Sequence, residues 1–308
     1  MPKVCVIIPT YNRADFLYSA INSVLHQTYQ DFEIIIVDDA SKDNTQEIIS
    51  RFHDKRIKYL NHESNKGEAA ARNSGILYSN SQYIAFLDDD DEWFPEKLRL
   101  QVDILEKSMS KVGLVYSGYV VIDRNTQKIL HKRIPMQRGP VYEDMLYRNF
   151  IGAPSTVILR RECIERIGLF DENIAYGLDH DLWIRIAQYY DFDYVKECLA
   201  IYFIHENRLS DNPDIRLKGL EDMIRKYGRH IVLKNKYYRG SYLSIGVQLC
   251  NNGDIKNGIK ALTNAIRTSP FEIRCYFNLV CALFGARNFR RLQIFKNRFM
   301  MLLRKKQI

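Results

Sequence analysis

The chain has 308 residues, 46% hydrophobic and 27% charged, the balance of a water-soluble globular protein with one large core and room for a small appendage. Its formal net charge of +8 is uneven: no Asp or Glu follows Glu272, while nine Lys and Arg residues lie between Arg274 and Lys306, so the excess belongs to the tail and no nucleic-acid partner is expected. Six scattered cysteines exclude a disulfide framework and a zinc knuckle and fit a reduced, cytoplasmic compartment.

The start, MPKVCVIIPTYNR, lacks an apolar stretch long enough for the centre of a signal peptide. Short β-rich runs follow at Val4 to Ile8, Ile34 to Val37, Ile57 to Leu60 and Tyr83 to Leu87. Between them, Phe16, Leu17, Ala20, Ile21, Val24 and Leu25 share one helical face, and Glu68 to Leu77 offers a second helix. Such alternation predicts an α/β fold with a doubly wound, mostly parallel sheet flanked by helices, whose ligands bind beyond the carboxyl ends of the strands. Further strands are expected at Gly113 to Ile122, Thr156 to Leu159 and Tyr194 to Phe203, with a helix from Leu182 to Gln188.

From Pro213 the texture becomes helical, with segments at Leu243 to Asn251, Gly258 to Thr268 and Tyr276 to Phe284 joined by Asn252-Gly253-Asp254 and Ser269-Pro270. The division expected is residues 1–212 and a helical, tetratricopeptide-like extension over 213–308. The longest nearly apolar run, Tyr276 to Ala286, is shorter than the roughly 20 residues of a membrane span.

The residues after each strand carry the chemistry. Asp38-Asp39-Ala40-Ser41 follows the second, and Asp88-Asp89-Asp90-Asp91-Glu92 follows the fourth. Consecutive carboxylates repel one another unless a cation binds, and hard oxygen ligands suit Mn2+ or Mg2+. A solvated acidic loop is the plain structural alternative. Neither a GxGxxG turn after the first strand nor a P-loop is present, which disfavours dinucleotide and P-loop chemistry.

VIIPTYNR, EIIIVDDASKDNT, NKGEAAARNSGI and YIAFLDDDDEWFPEKL together resemble the nucleotide-binding half of glycosyltransferase family two, which has the GT-A fold. RRECIERIGLFDE, LDHDLWIRIA and YFIHENRLS are similar to its acceptor half, and the likeness runs over about residues 1 to 212. It implies metal-dependent transfer of a sugar, with inversion, from a nucleoside-diphosphate sugar to a hydroxyl of a glycan or lipid-linked acceptor; UDP is the first nucleotide to test.

By position, the resemblance implies that Tyr11, Asp39 and Pro9 hold the base, and that Arg72 approaches the ribose or diphosphate. Asp88 and Asp90 become the metal pair, Asp89 lies near the ribose, and His205 lies near the diphosphate as a further metal-side residue. Trp93 and Pro95 fix that frame among the four aspartates. Asp179 becomes the catalytic base, although Leu178 stands where the family commonly has Glu. Simpler roles remain open: Tyr11 as a core aromatic, Asp39 as a turn former, Arg72 as a helix-surface charge, Asp179 as a capping partner and Asp181 as an N-cap.

Two other classes compete. A sugar nucleotidyltransferase would carry a Gly-rich basic loop where Pro9-Thr10-Tyr11 stands, and a degenerate scaffold or membrane-surface binding protein would not need intact Asp39, Asp90 and Asp179. In the tail, Phe289, Leu292, Phe295, Phe299, Leu302 and Leu303 recur at helical spacing among Arg290, Arg291, Lys296, Arg298 and Arg304 to Lys306. That stripe suits either peripheral contact with anionic membrane or packing on the preceding helices.

Overall fold

The computed structural model describes residues 1–108, 110–205, 211–228 and 236–292. They form two compact units. The first comprises Met1–Met145, Asn149–Asn173 and the stretch from Leu178 through the last strand; the second comprises Leu146–Arg148, Ile174–Gly177 and the C-terminal helices.

The first unit opens with β1 (Val4–Thr10), α1 (Ala14–Leu25), β2 (Phe32–Asp38), α2 (Thr45–Ser50), β3 (Ile57–Asn61), α3 (Glu68–Tyr78) and β4 (Tyr83–Phe86). All seven residues of β1 are buried, as a strand covered on both faces must be. Leu17, Ala20, Ile21 and Val24 on α1 are buried too, the face their spacing requires, while Phe16 and Leu25 are only partly covered. A Cβ on Gly75 would lie 2.6 Å from a methyl of Ile7, so glycine lets α3 settle close on β1.

Strands β3, β2, β1 and β4 lie side by side and parallel. Thr10 pairs with Asp38 and Phe86 with Ile7, so β1, β2 and β4 end near one level and the acids that follow β2 and β4 emerge on one edge.

The rest of the sheet is mixed. It adds β5 (Glu92–Trp93), α4 (Lys97–Lys107), β6 (Val112–Asp123), β7 (Ile129–Arg133), α5 (Tyr142–Tyr147), β8 (Val157–Arg160), α6 (Arg161–Ile167), α7 (Leu178–Ala187) and β9 (Asp191–Ile204). β8 runs antiparallel between β4 and β6, and β6 runs parallel to β9. The sheet expected to be mostly parallel is parallel from β1 to β4 and in the β6–β9 pair, and antiparallel where β5, β7 and β8 join it. Apolar periodicity carries no strand direction, and β6 and β7 join through a short hairpin that needs no crossover helix. α7 begins at Leu178, four residues before the position expected from the apolar pattern.

The second unit contains α8 (Pro213–Tyr227), α9 (Lys236–Asn252), α10 (Ile255–Thr268) and α11 (Ile273–Leu283). The Asn212 side chain caps α8 by accepting from the Asp214 and Ile215 amides. Cys250, Leu262, Cys281, Ala282 and Phe289 form its core. Of the basic tail stripe, Phe289 is buried in this core while Leu292 is 38% exposed; residues beyond 292 lie outside the described ones. No helix among the described residues is long and apolar enough to cross a membrane.

Candidate active site

At the carboxyl edge, the loops after β1 and β2 are stitched together. Asn12 donates its backbone N–H to Ser41 Oγ and accepts the Lys42 amide on its Oδ1, and the Ala14 amide donates to Asp43. Asn12 and Ala40 both take left-handed backbone (φ 52° and 67°), which turns each loop sharply. Asp38 accepts from the Ser41 amide and the Tyr59 hydroxyl and serves the turn.

Asp39 is buried and points the other way. Its Oδ1 lies 2.7 Å from His62 Nδ1 and accepts the Lys66 amide at 2.8 Å, while Oδ2 accepts the Gly67 amide at 2.7 Å. A carboxylate offers about four acceptor positions, so Oδ2 keeps capacity for one more N–H. Pro9 is buried in β1 beside Val37, and Tyr11 stands 42% exposed at the rim, free of the core role that was one of its simpler alternatives.

The acids after β4 fan out. Asp88 accepts from Arg72 Nη2 at 2.6 Å, and the same nitrogen lies 2.5 Å from Glu68. Arg72 is 1% exposed, so it is no surface charge, and its buried Nε has no partner. Arg13 Nη1 bridges Asp89 at 3.0 Å and Asp90 at 2.8 Å. His205 Nε2 lies 2.9 Å from the same Asp90 oxygen, with its ring 4.7 Å from that of Phe16. Asp91 accepts from the Ser155 hydroxyl at 2.6 Å, leaving its Oδ1 buried and unpartnered.

Carboxylate oxygens of Asp88, Asp90 and Asp91 lie within 4.8 Å of one another. Burial pushes Asp88 up to about 6 despite Arg72, Asp89 up to about 7 despite Arg13, and Asp91 well above the carboxylate range. Burial acts on Asp90 in the same sense, but the hydrogen bond from His205 and the Arg13 charge outweigh it and hold that group low. Converging oxygens, an orphaned Asp91 oxygen and acids that resist ionisation by themselves fit a hard divalent cation. His205 meets Asp90 from outside this three-oxygen cluster.

Asp179 sits in the first turn of α7, where its Oδ2 accepts from Asn149 Nδ2 at 3.0 Å. Burial, to which the apolar Leu178 at 7% exposure is adjacent, raises its pKa to about 6; the His180 amide and the Arg72 charge pull the other way. Arg72 therefore acts on Asp88 and on Asp179. Asp181 is inside the helix and binds Arg185 at 2.9 Å rather than capping.

Residues 5–168 match the pattern described as Glycosyl transferase family 2. The chain belongs to that family. This glycosyltransferase is 32% identical over 260 residues to the UDP-Glc:alpha-D-GlcNAc-diphosphoundecaprenol beta-1,3-glucosyltransferase WfgD of Escherichia coli, covering 83% of this chain and 98% of WfgD. In fold it is similar to S. aureus TarS in complex with UDP-GlcNAc, with TM-score 0.64, 16% identity, and coverage of 96% of this chain and 92% of that one. It is likewise similar to the mannosyltransferase PcManGT of Pyrobaculum calidifontis in complex with GDP-Man and Mn2+, with TM-score 0.58, 18% identity, and coverage of 93% and 86%. The GT-A fold is thereby established for this glycosyltransferase.

Sequence reasoning missed Arg13, Asn149 and Ser155. Arg13 carried a signal, being the one cation in the turn after β1. Asn149 carried none, since it lies 30 residues from Asp179 in an irregular stretch.

Proposed function

We propose that this glycosyltransferase moves a sugar from a UDP-sugar to a hydroxyl of a glycan or lipid-linked acceptor, with inversion and with Mn2+ or Mg2+, in cell-surface polysaccharide synthesis. The observation that carries this reading is Arg72, ion-paired to Asp88 on the donor side and acting electrostatically on Asp179 on the other. The UDP-Glc specificity in the name of WfgD and the UDP-GlcNAc held by TarS support the choice of UDP.

In this reading the free capacity of Asp39 Oδ2 accepts a base N–H while Tyr11 and Pro9 flank the ring. Asp89 faces the ribose and Arg72 the ribose or diphosphate. Asp88 and Asp90, beside Asp91, would hold a divalent cation, which would supply positive charge for the leaving diphosphate. His205 fixes the Asp90 carboxylate.

Asp179 takes the proton of the acceptor hydroxyl as its oxygen attacks the anomeric carbon. The bond from that carbon to the diphosphate oxygen breaks in the same displacement, and UDP leaves with the electron pair. One base and one displacement invert the anomeric centre.

Asp179→Asn tests the assignment. The variant should be stabilised against heat by UDP-sugar with Mn2+ as wild type is, yet transfer nothing, because the base acts on the acceptor. Transfer at the wild-type rate would remove Asp179 from the role of base.

A further inference from the structure

Residues 124–138 read RNTQKILHKRIPMQR, five Lys or Arg with no Asp or Glu. They form the tip of the β6–β7 hairpin, the strand β7 and the segment that leaves it. Among the described residues strand β7 pairs only with β6, and all of Ile129–Lys132 is exposed. Ile129 is 59% exposed and Met136 79%, with Leu130 and Ile134 also open. Elsewhere in the first unit, strand residues of this kind fill the core.

Positive charge on an edge strand commonly serves to prevent pairing with other chains. That purpose accounts for the lysines but not for four exposed apolar side chains among them. Among the described residues Lys128, Lys132 and Arg138 form no salt bridge, and of the three only the Lys128 charge acts on a nearby carboxylate, that of Asp123. Cations beside uncovered apolar groups match a surface with anionic headgroups above a hydrocarbon layer.

The ribbon is also held in place. Pro135 ends β7, and glycine at 118 allows close approach, since a Cβ there would lie 2.7 Å from the Arg133 carbonyl and 3.2 Å from Pro135. Arg133 donates from Nη2 to the Asn149 carbonyl at 3.2 Å and from Nη1 to the Tyr119 hydroxyl at 3.3 Å. Asn149 in turn holds Asp179.

We infer that the β6–β7 ribbon docks this protein on an anionic phospholipid surface, with Lys128, Lys132 and Arg138 on the headgroups and Ile129, Leu130, Ile134 and Met136 in the interface. Docking does not depend on which residue is the base. Delivery of a lipid-linked acceptor to Asp179 does rest on the catalytic role proposed for that residue.

The test is sedimentation of the full chain with phosphatidylcholine vesicles, with and without phosphatidylglycerol, at low and high salt. Wild type should pellet only with the anionic vesicles, and less at high salt. The triple change Lys128→Glu, Lys132→Glu, Arg138→Glu should weaken binding by about a hundredfold, from about fivefold for each cation. Ile129→Ser with Met136→Ser should weaken it too and leave the salt dependence in place. Both variants should keep thermal stabilisation by UDP-sugar with Mn2+, which shows that they fold; its loss in wild type would count against the donor reading alone. Vesicle binding that survives both sets of changes, that ignores lipid charge, or that is absent from wild type would overturn the docking role. So would dimerisation of wild type through this edge that the same substitutions abolish.

Discussion

Replacing Asn149 with Ala removes the Nδ2 donor that lies 3.0 Å from Asp179 Oδ2. A hydrogen bond to a charged group contributes about 1.5–3 kcal/mol, and one pKa unit corresponds to about 1.4 kcal/mol, so the Asp179 pKa should rise by about 1–2 units. From its starting value of about 6, it would then titrate at about 7–8. In the proposed role Asp179 works when deprotonated, so the acid limb of the rate profile should move to higher pH. Turnover at pH 7 should fall about two- to tenfold and recover near pH 9.

The assay is kcat against pH at saturating Mn2+, which should keep Asp88, Asp90 and Asp91 ionised and out of the profile. Asn149 also accepts the Ile151 and Gly152 amides, so some loss independent of pH is expected from the loop. An acid limb that stays in place in the variant, or that lies well away from pH 6 in wild type, would refute the link between Asn149, Asp179 and catalysis.

Asp90→Ala should abolish metal-dependent turnover and weaken Mn2+ binding at least tenfold, read by electron paramagnetic resonance of the free ion. Product formed from an α-linked donor should be β-linked by proton NMR; a retained configuration would exclude the single displacement. Gly152→Ala should lower stability by about 2–4 kcal/mol in a denaturant titration, because φ is 98° there and a Cβ would lie 2.7 Å from the Tyr119 ring. An unchanged midpoint would show that this loop relaxes freely.

Much of the half built on β1 to β4 is legible in the sequence because its signals are local. The α1 face follows from residue spacing, and Asp39 and Asp88 follow strands that end together. The half from β5 to β9 is less legible for a physical reason: its contacts join distant segments. Nothing near Asp179 points to Asn149, and nothing around Asp181 distinguishes a helix cap from an i to i+4 partner of Arg185. Strand direction in β8 was equally hidden, since a buried strand reads alike in both senses. Arg72 needed its neighbours: three-dimensional proximity to Asp88, rather than its place on α3, makes it an interior ion.

The stitching of Asn12 to Ser41 and Lys42 bears on how this protein can be re-engineered. Each loop takes its shape from the other, so a graft of one from a relative with different length or turn residues would meet an unmatched neighbour. Swaps meant to alter nucleotide choice should transplant the segments around Asn12 and Ser41 as a pair. Chimeras carrying only one should accumulate as insoluble protein.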